Sequence, residues 1–283
     1  MRMSFIIQRP VLRYHGGKWK LAHWIISHFP NHRVYTEAYG GAASVLMRKS
    51  RSYAEVYNDM YDNVVTVFRV LRDQPEKLKR ALELTPFART EFEQTTQADL
   101  DHISDPVELA RRVIFRSFAG FGSAAMNANR RTGFRVSTKK ALPSIDWANY
   151  PSQVEAFAER LRGVVIENRP AIEVLLQHDG PDTLHYVDPP YPHITRSALV
   201  SNHSEYAHEM YEEHHIELAD TLKNLEGMVV LSGYRCELYD DLFGDWEMRL
   251  KDTHADGAKK RQEAIWLNPP CAEKQKQLRF DYA

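Results

Sequence analysis

The sequence predicts an α/β fold in which a mostly parallel sheet is wrapped by helices. Strand and helix patterns alternate at both ends of the chain, whereas the strand pattern nearly disappears between Pro75 and Arg162. Alternation of this kind is typical of parallel sheets, whose ligands bind at the carboxyl ends of the strands. We therefore expect one sheet domain, residues 1–74 and 163–283, that carries a mostly helical insert, residues 75–162.

Seven short segments have the apolar or alternating pattern of strands. They are residues 34–38, 53–57, 164–167, 184–187, 228–232, 246–250 and 264–267. Helical patterns in the sheet domain cover residues 19–29, 42–50, 60–72, 170–178, 211–224 and 235–243. Within the insert they cover residues 75–84, 88–97, 106–117 and 151–161, on both sides of a glycine-rich basic loop. The chain shows no internal repeat and no low-complexity tract.

The composition is that of a globular protein from a reducing compartment. With 283 residues, of which 43% are hydrophobic, the chain can bury a substantial core. The two cysteines, Cys236 and Cys271, lie far apart, which argues against a disulfide framework or a zinc cluster. Neither a signal peptide nor a membrane-spanning segment is evident. We expect a cytoplasmic protein without a membrane partner.

The net charge of −1 conceals two stretches that contain no acidic residue, residues 1–36 and 109–145. The second stretch carries eight basic residues, and Phe115, Phe118, Phe121 and Phe134 alternate with glycines in it. Basic groups can contact phosphates, and aromatic faces can stack on or between bases. A solvated basic loop is the alternative. The pattern favours a nucleic-acid partner.

The tetrapeptide Asp188-Pro189-Pro190-Tyr191 directly follows the apolar run Leu184–Val187. An exocyclic amino nitrogen of a nucleobase is a weak nucleophile, and two acceptors on its hydrogens favour an attacking geometry. Asp188 can be one acceptor, and the prolines can hold the Pro189 carbonyl rigidly as the other. Tyr191 offers a flat face for an extruded base. The alternative is a plain turn that ends a strand.

Two other segments have the features of a small-ligand site. The turn Glu37–Ser44 follows the first predicted strand, and its small residues would let a ligand approach the backbone. Asp59 lies 18 positions after Gly41, a distance at which an acid can receive ribose hydroxyls. Tight packing and a helix cap are the respective alternatives. Upstream, two glycines between Tyr14 and Lys18 can bring a ring and a cation to one ligand, unless they form only a surface turn.

In this order, the motifs resemble those of the Dam-type DNA adenine-N6 methyltransferases, the D12 class, and especially its bacteriophage-like branch. The family pattern contains an aromatic-x-Gly-Gly-Lys segment, a Glu-x-x-x-Gly-x-x-Ser turn, an Asn-Asp pair, a helical insert and Asp-Pro-Pro-Tyr. Here these are residues 14–18, 37–44, 58–59, about 75–162 and 188–191. The resemblance covers nearly the whole chain, and its specificity comes from the joint order of motifs that are each weak.

The resemblance implies a Rossmann-like methyltransferase domain that uses S-adenosyl-L-methionine, with an inserted target-recognition subdomain that binds double-stranded DNA. The implied catalytic residues are Asp188, Pro189, Pro190 and Tyr191. The implied cofactor contacts are Tyr14, Lys18, Glu37, Gly41, Asp59 and Asp188. The implied DNA contacts are Arg13, Arg116, Asn127, Arg130, Arg131 and Arg135. No metal is needed, because the methyl donor already carries its positively charged leaving group.

The chain departs from the family pattern at Ala38 and Ala43, which are small enough to keep the cofactor turn open. Pro170 stands where relatives often place an acid beside the cofactor adenine, and Glu167 and Asn168 are possible substitutes. A cytosine-N4 methyltransferase and an inactive DNA-binding derivative are the alternative functions.

Three further features bear on the class of enzyme, on a metal site and on the lining of the target pocket. A dehydrogenase would need a glycine fingerprint that the turn at Glu37 lacks. His203, His208, His214 and His215 do not include a third metal ligand at a recognised spacing, so we expect no metal site. Ser232-Gly233-Tyr234 could line the target pocket, whereas Asn268-Pro269-Pro270-Cys271 lacks an aromatic fourth residue and is expected to be structural.

Overall fold

The computed structural model of the chain describes residues 6–126, 132–137, 142–195, 208–254 and 260–281. These residues form a mixed α/β structure around a seven-stranded sheet. The strands are β1 (Val34–Glu37), β2 (Ala54–Asn58), β3 (Val164–Glu167), β4 (Thr183–Val187), β5 (Met228–Gly233), β6 (Glu247–His254) and β7 (Lys260–Leu267). All seven predicted strands are confirmed.

The spatial order of the strands is β3-β2-β1-β4-β5-β7-β6. Strands β1 to β5 are parallel, whereas β7 is antiparallel to both β5 and β6. The central strands β4 and β5 are buried at every residue, as expected when helices cover both faces of a parallel sheet. The prediction of a mostly parallel sheet is therefore confirmed.

The described residues contain twelve α-helices. In chain order they are α1 (Ala22–Ile26), α2 (Asp62–Asp73), α3 (Pro75–Glu83), α4 (Arg89–Glu93), α5 (Gln97–Leu100), α6 (Pro106–Ala119), α7 (Pro143–Ala148), α8 (Val154–Leu161), α9 (Ala171–Gln177), α10 (Glu212–Lys223), α11 (Glu237–Leu242) and α12 (Pro269–Asp281). Short 3-10 helices occupy Ser123–Met126, Pro151–Gln153 and His193–Thr195.

The helix predicted for residues 42–50 is wrong, because this segment forms a series of turns. Ala43 has a φ of 50°, a left-handed conformation that a regular helix does not contain. The backbone N–H of Leu46, which would bond Ala42 in a helix, donates instead to Glu37 Oε2 at 2.8 Å. A buried carboxylate at the end of β1 thus replaces a helical hydrogen bond.

Two other helix predictions need correction. The pattern at residues 88–97 is divided between α4 and α5, because the Thr95 hydroxyl donates to the Phe92 carbonyl and the chain turns there. Helix α12 was not predicted. It begins after Asn268, whose Oδ1 accepts the Cys271 N–H at 3.1 Å and the Val229 N–H at 2.8 Å. Asn268 therefore both caps α12 and ties it to β5, which is a structural role.

Between β2 and β3 the chain forms only helical elements, and these are built on α2. Helix α2 packs against α6 and α8, and one apolar cluster extends from the sheet into them through Tyr57, Phe68, Phe115 and Phe157. On the opposite face of the sheet, a second cluster contains residues of α9, α10 and α11. The helices from α3 to α8 therefore share their core with the sheet.

Two sets of polar contacts fix these helices to the rest of the molecule. Arg160 on α8 donates to Glu55 on β2 at 2.5 Å and 2.9 Å. Both residues are buried, with 9% of Arg160 and 3% of Glu55 exposed. The Tyr150 hydroxyl donates to the Val11 carbonyl at 2.8 Å, and Arg9 donates to the Asp146 carbonyl at 2.7 Å. The amino-terminal segment thus lies against the helices between β2 and β3. Over the described ranges, none of the helices has the length and apolar character needed to cross a bilayer.

Candidate active site

The main cavity of the described residues lies where the strand order reverses, between β1 and β4. Glu37 is the last residue of β1 and Asp188 directly follows β4, so both side chains reach the carboxyl edge of the sheet at this crevice. Crevices at such switch points are the usual ligand sites of open α/β sheets. The cavity has a volume of about 480 Å³. Its lining comes from residues 14–18, 37–42, 44–45, 59–61, 170–173, 186, 188–190, 208–210, 214 and 217.

The turn Tyr14–Lys18 forms one wall of the cavity. The Gly17 N–H donates to the Tyr14 carbonyl at 3.2 Å, and Gly16 has a φ of 71°, which a glycine adopts without strain. The turn points Lys18 inward, where its Nζ donates to the Gly16 carbonyl at 2.7 Å and lies 2.8 Å from Asp188 Oδ1. Tyr14 and Lys18 therefore lie on the same cavity, as the sequence predicted.

Glu37 is the buried acid of the cavity, with 2% of its surface exposed. Its Oε2 accepts the Tyr35 hydroxyl and the Leu46 N–H, each at 2.8 Å. Burial raises the pKa of Glu37 to about 8, although these two hydrogen bonds oppose the shift. A cationic ligand beside Glu37 would favour its ionised form.

Gly41 and Asp59 meet at the floor of the cavity. The Gly41 N–H donates to Asp59 Oδ2 at 2.7 Å, and the Tyr61 N–H donates to Asp59 Oδ1 at 2.8 Å. Gly41 has a φ of 47°, and a Cβ there would lie 3.1 Å from the Tyr14 ring. Burial raises the pKa of Asp59. These contacts fix the Asp59 carboxylate with respect to both the glycine turn and Tyr14.

Asp188 lines the cavity together with Pro189 and Pro190. Its side chain is 16% exposed and pairs with the 5% exposed side chain of Lys18. Burial raises the pKa of Asp188, and the charge of Lys18 and the hydrogen bond from it work against that shift. The carboxylate of Asp188 therefore lies at the cavity surface with a cation on one of its oxygens.

Tyr191, the fourth residue of the tetrapeptide, is only 6% exposed. Its hydroxyl donates to the carboxylate of Glu263 on β7, and Lys18 Nζ lies 4.7 Å from its ring centroid. The edge-on ring of Tyr234 has its centroid 4.7 Å from that of Tyr191. Tyr234 is thus close to the tetrapeptide, whereas Ser232, Gly233 and Tyr234 are not part of the cavity lining, and their place in a target pocket stays a prediction. Glu263 was missed, because its only signal was one carboxylate directly before an apolar strand.

The segment around Pro170 also reaches the cavity, through residues 170–173. Of the two proposed substitutes for the usual acid, Asn168 donates to the Asp59 carbonyl at 2.9 Å, and neither Asn168 nor Glu167 lines the cavity. Glu173 does line it, one turn beyond Pro170. No sequence motif marks Glu173, since its place on the cavity depends on how α9 packs.

The predicted DNA contacts have different environments. Arg116 is 4% exposed, and its guanidinium donates to the Ala125 carbonyl at 2.7 Å and the Thr95 carbonyl at 2.9 Å. Arg13 and Arg135 are partly buried, and Arg135 follows a β-bridge between Gly120 and Phe134. Asn127, Arg130 and Arg131 lie outside the described residues. The Arg116 side chain holds its own segment together, so a direct contact with DNA would require these bonds to open.

The histidines expected not to bind a metal have separate environments. His208 and His214 line the cavity, whereas His215 is buried with its Nδ1 3.1 Å from the Tyr239 hydroxyl. His203 lies outside the described residues. Where the structure describes the chain, no group of three or more His, Cys, Asp or Glu residues is placed to hold a metal ion.

Taken together, the sheet order and the cavity define an α/β protein with a nucleotide-type cleft that ends in an Asp-Pro-Pro-Tyr turn. Residues 14–255 match the family model of the D12 class N6 adenine-specific DNA methyltransferases. The chain belongs to this family, so it is an enzyme that methylates the N6 amino group of adenine in DNA. The match confirms the resemblance and favours adenine over the cytosine-N4 alternative. The comparison with curated proteins found no match.

Proposed function

We propose that the cavity between β1 and β4 binds S-adenosyl-L-methionine and that Asp188 acts on the target adenine at its edge. The observation that carries the proposal is the position of Asp188 on the same cavity as Glu37, Gly41 and Asp59. Methyl transfer needs the methyl donor and the acceptor nitrogen side by side. Here Glu37, Gly41 and Asp59 would contact the donor, and Asp188 would contact the acceptor base beside it.

The lining of the cavity suits a cationic nucleoside. Glu37 and Asp59 supply carboxylates, and the exposed backbone at Gly41 permits close approach of a ligand. Tyr14 can pack on the ligand from the glycine turn, and Lys18 can reach its carboxylate or the acceptor base. Glu173 supplies a carboxylate near Pro170, where relatives have an acid. When bound, S-adenosyl-L-methionine supplies an activated methyl group on a positively charged sulfur.

At the acceptor side, we assign the amino hydrogens of adenine to the Asp188 carboxylate and the Pro189 carbonyl. Two acceptors pull the nitrogen lone pair out of conjugation with the ring and aim it at the donor. Pro190 keeps the Pro189 carbonyl rigid, because a residue before proline is restricted to extended conformations. The adenine must leave the duplex to reach this edge, which costs a few kcal/mol of stacking and pairing. Tyr191 forms the aromatic side of its pocket.

For the DNA, we propose that the helical region of residues 75–162 is the target-recognition part. Its basic segment follows α6, and Phe121 there is 74% exposed. Arg13, Asn127, Arg130, Arg131 and Arg135 are the proposed contacts, together with Arg116 if its internal bonds open. Basic side chains on phosphates would position the duplex, while contacts with base edges would select the sequence. We place the enzyme in the cytoplasm of a bacterial cell or of a bacteriophage-infected host.

The replacement Asp188→Asn tests the catalytic assignment, since it keeps the shape of the side chain and removes its charge. We expect single-turnover methyl transfer to fall at least about 100-fold, while calorimetric affinities for S-adenosyl-L-methionine and for DNA change little. Asp182→Asn is the matched control, because Asp182 precedes β4 and its side chain is 70% exposed. Wild-type rates in Asp188→Asn would contradict the assignment.

The base assignment is tested by expressing the chain in a host without DNA methylation and sequencing its DNA with detection of modified bases. The proposal predicts N6-methyladenine within a short recurring sequence. Modified cytosines alone would contradict it. Unmodified DNA together with no calorimetric binding of millimolar S-adenosyl-L-methionine would instead identify an inactive DNA-binding derivative.

A further inference from the structure

Glu263 is a buried carboxylate beside the proposed catalytic turn that no motif assigns. It lies on β7, has 3% of its surface exposed and does not line the main cavity. Burying a carboxylate costs free energy unless the surrounding groups compensate. Two groups do so here, because the Tyr191 hydroxyl donates to Glu263 and Lys18 Nζ lies 3.6 Å from Glu263 Oε1.

Lys18 is the cation between two carboxylates. Its Nζ lies 2.8 Å from Asp188 Oδ1 and 3.6 Å from Glu263 Oε1, and its charge also lies 4.7 Å from the centroid of the Tyr191 ring. Both distances are within the range of an ion pair. Lys18 therefore has a second acceptor close at hand.

A second acceptor matters because Lys18 pairs with Oδ1 of the carboxylate that the substrate needs, and its charge makes that carboxylate a weaker acceptor. If Asp188 is to accept a hydrogen from the amino group of adenine, the ammonium group on Oδ1 competes with that hydrogen bond. Lys18 cannot be expelled into the buried surroundings without another partner, since an unpaired buried charge is strongly unfavourable. Glu263 is near enough to be that partner, and it also accepts the Tyr191 hydroxyl.

We propose that Glu263 is a positioning residue for methyl transfer, which fixes Tyr191 through its hydroxyl and receives Lys18 when Asp188 accepts the amino group of adenine. This inference rests on the proposed role of Asp188. Glu263 acts through Lys18 and Tyr191 and does not itself touch the substrate.

Two substitutions separate the functions of Glu263. Glu263→Gln keeps an oxygen for the Tyr191 hydroxyl and removes the charge that attracts Lys18. We expect its single-turnover rate to fall about tenfold at saturating S-adenosyl-L-methionine and DNA, with little change in either dissociation constant. Glu263→Ala removes both functions, and we expect a larger loss. Glu247→Gln, on the neighbouring strand β6, is the matched control and should keep the wild-type rate.

A double-mutant cycle of Glu263→Ala and Tyr191→Phe tests the link to the ring, because each variant removes the same hydrogen bond. We expect the fold-loss in methyl-transfer rate of the double variant to be smaller than the product of the fold-losses of the two single variants. A merely structural bond would give coupling in the free energy of unfolding and none in the rate. Suppose that Asp188→Asn is inactive, as proposed. A wild-type rate in Glu263→Gln, or a double-mutant cycle without coupling in the rate, would then overturn the inference about Glu263. Activity in Asp188→Asn would instead remove the proposed function.

Discussion

Lys18 Nζ lies 2.8 Å from Asp188 Oδ1, so an ion pair joins the amino-terminal glycine turn to the end of β4. The two residues are distant in the sequence, and only the sheet brings them together. Lys18 belongs to the wall of the proposed donor site, and Asp188 belongs to the proposed acceptor site. The pair therefore lies where the two substrates would meet.

This contact predicts the pH dependence of the reaction. Burial raises the pKa of Asp188, and Lys18 opposes that shift. In Lys18→Met the opposing charge is gone, so the pKa of Asp188 should rise further. The proposed reaction needs the ionised carboxylate of Asp188. When the pH is lowered, the variant should therefore lose activity at a higher pH than the wild type does. Single-turnover rates across pH, with the exposed Lys20→Met as control, measure this shift. If the pH at which the rate falls is unchanged in Lys18→Met, or is lower than in wild type, the proposed role of the ion pair is contradicted.

A second prediction concerns Glu37 and stability. The pKa of Glu37 is about 8 in the fold, well above the ordinary 4.5 of a glutamate side chain, so folding favours its protonated form. Its contribution is fully present below about pH 4.5 and is lost as the pH rises through about 8. Glu37→Gln keeps an oxygen for the Tyr35 hydroxyl and the Leu46 N–H but cannot ionise. Between these pH values, the free energy of unfolding of wild type should fall relative to the variant, by at most about 1.4 kcal/mol per pH unit. Urea unfolding at each pH measures this difference. A difference between wild type and variant that stays constant across this pH range would contradict the prediction.

A third prediction concerns the attachment of α8 to the sheet. Arg160→Met removes the paired guanidinium from buried Glu55, which keeps its contacts with Lys49 at 2.7 Å and with the Ser52 N–H at 3.1 Å. Breaking a buried ion pair by removing one partner costs about 3–5 kcal/mol, and the remaining lysine should place the loss near the lower end. Arg162→Met is the control, because its side chain is 78% exposed and should cost little. Equal urea-unfolding midpoints for the two variants would show that the buried pair is not important for stability.

The strands could be predicted from the sequence because local patterns determine them. Apolar runs such as Leu184–Val187 and Met228–Ser232 are long enough for strands and are buried in the structure on both sides, as parallel strands require. The motifs and the family resemblance together named six cofactor contacts, and all six line one cavity, namely Tyr14, Lys18, Glu37, Gly41, Asp59 and Asp188. Their binding of the cofactor stays a prediction.

The failures arise where distant residues decide the local structure. Residues 42–50 have a helical pattern, but the Glu37 carboxylate takes the Leu46 N–H and Ala43 adopts a left-handed conformation. No local pattern showed that the Arg116 guanidinium donates to the Thr95 carbonyl, and the DNA contact of Arg116 stays a prediction. Glu263 meets Tyr191 across 72 positions of sequence, which no local pattern reveals.

A fourth prediction concerns the DNA-binding surface. Replacing Arg130 and Arg131 together by alanine should weaken DNA binding about equally for all sequences and reduce the salt slope of the affinity by about 2, if each contacts one phosphate. Titrations at several salt concentrations measure this slope. Lys223→Ala is a suitable control, because the exposed Lys223 lies outside residues 75–162, at the end of α10 shortly before β5 begins. An unchanged slope in the double variant would count against phosphate contacts at these positions.

The most direct measurement is a crystal structure of the enzyme with target DNA and a non-transferring analogue of S-adenosyl-L-methionine. Our account predicts an extruded adenine whose N6 lies within hydrogen-bond distance of both an Asp188 oxygen and the Pro189 carbonyl, with Lys18 Nζ moved toward Glu263. An adenine bound elsewhere, with Lys18 still on Asp188, would contradict it.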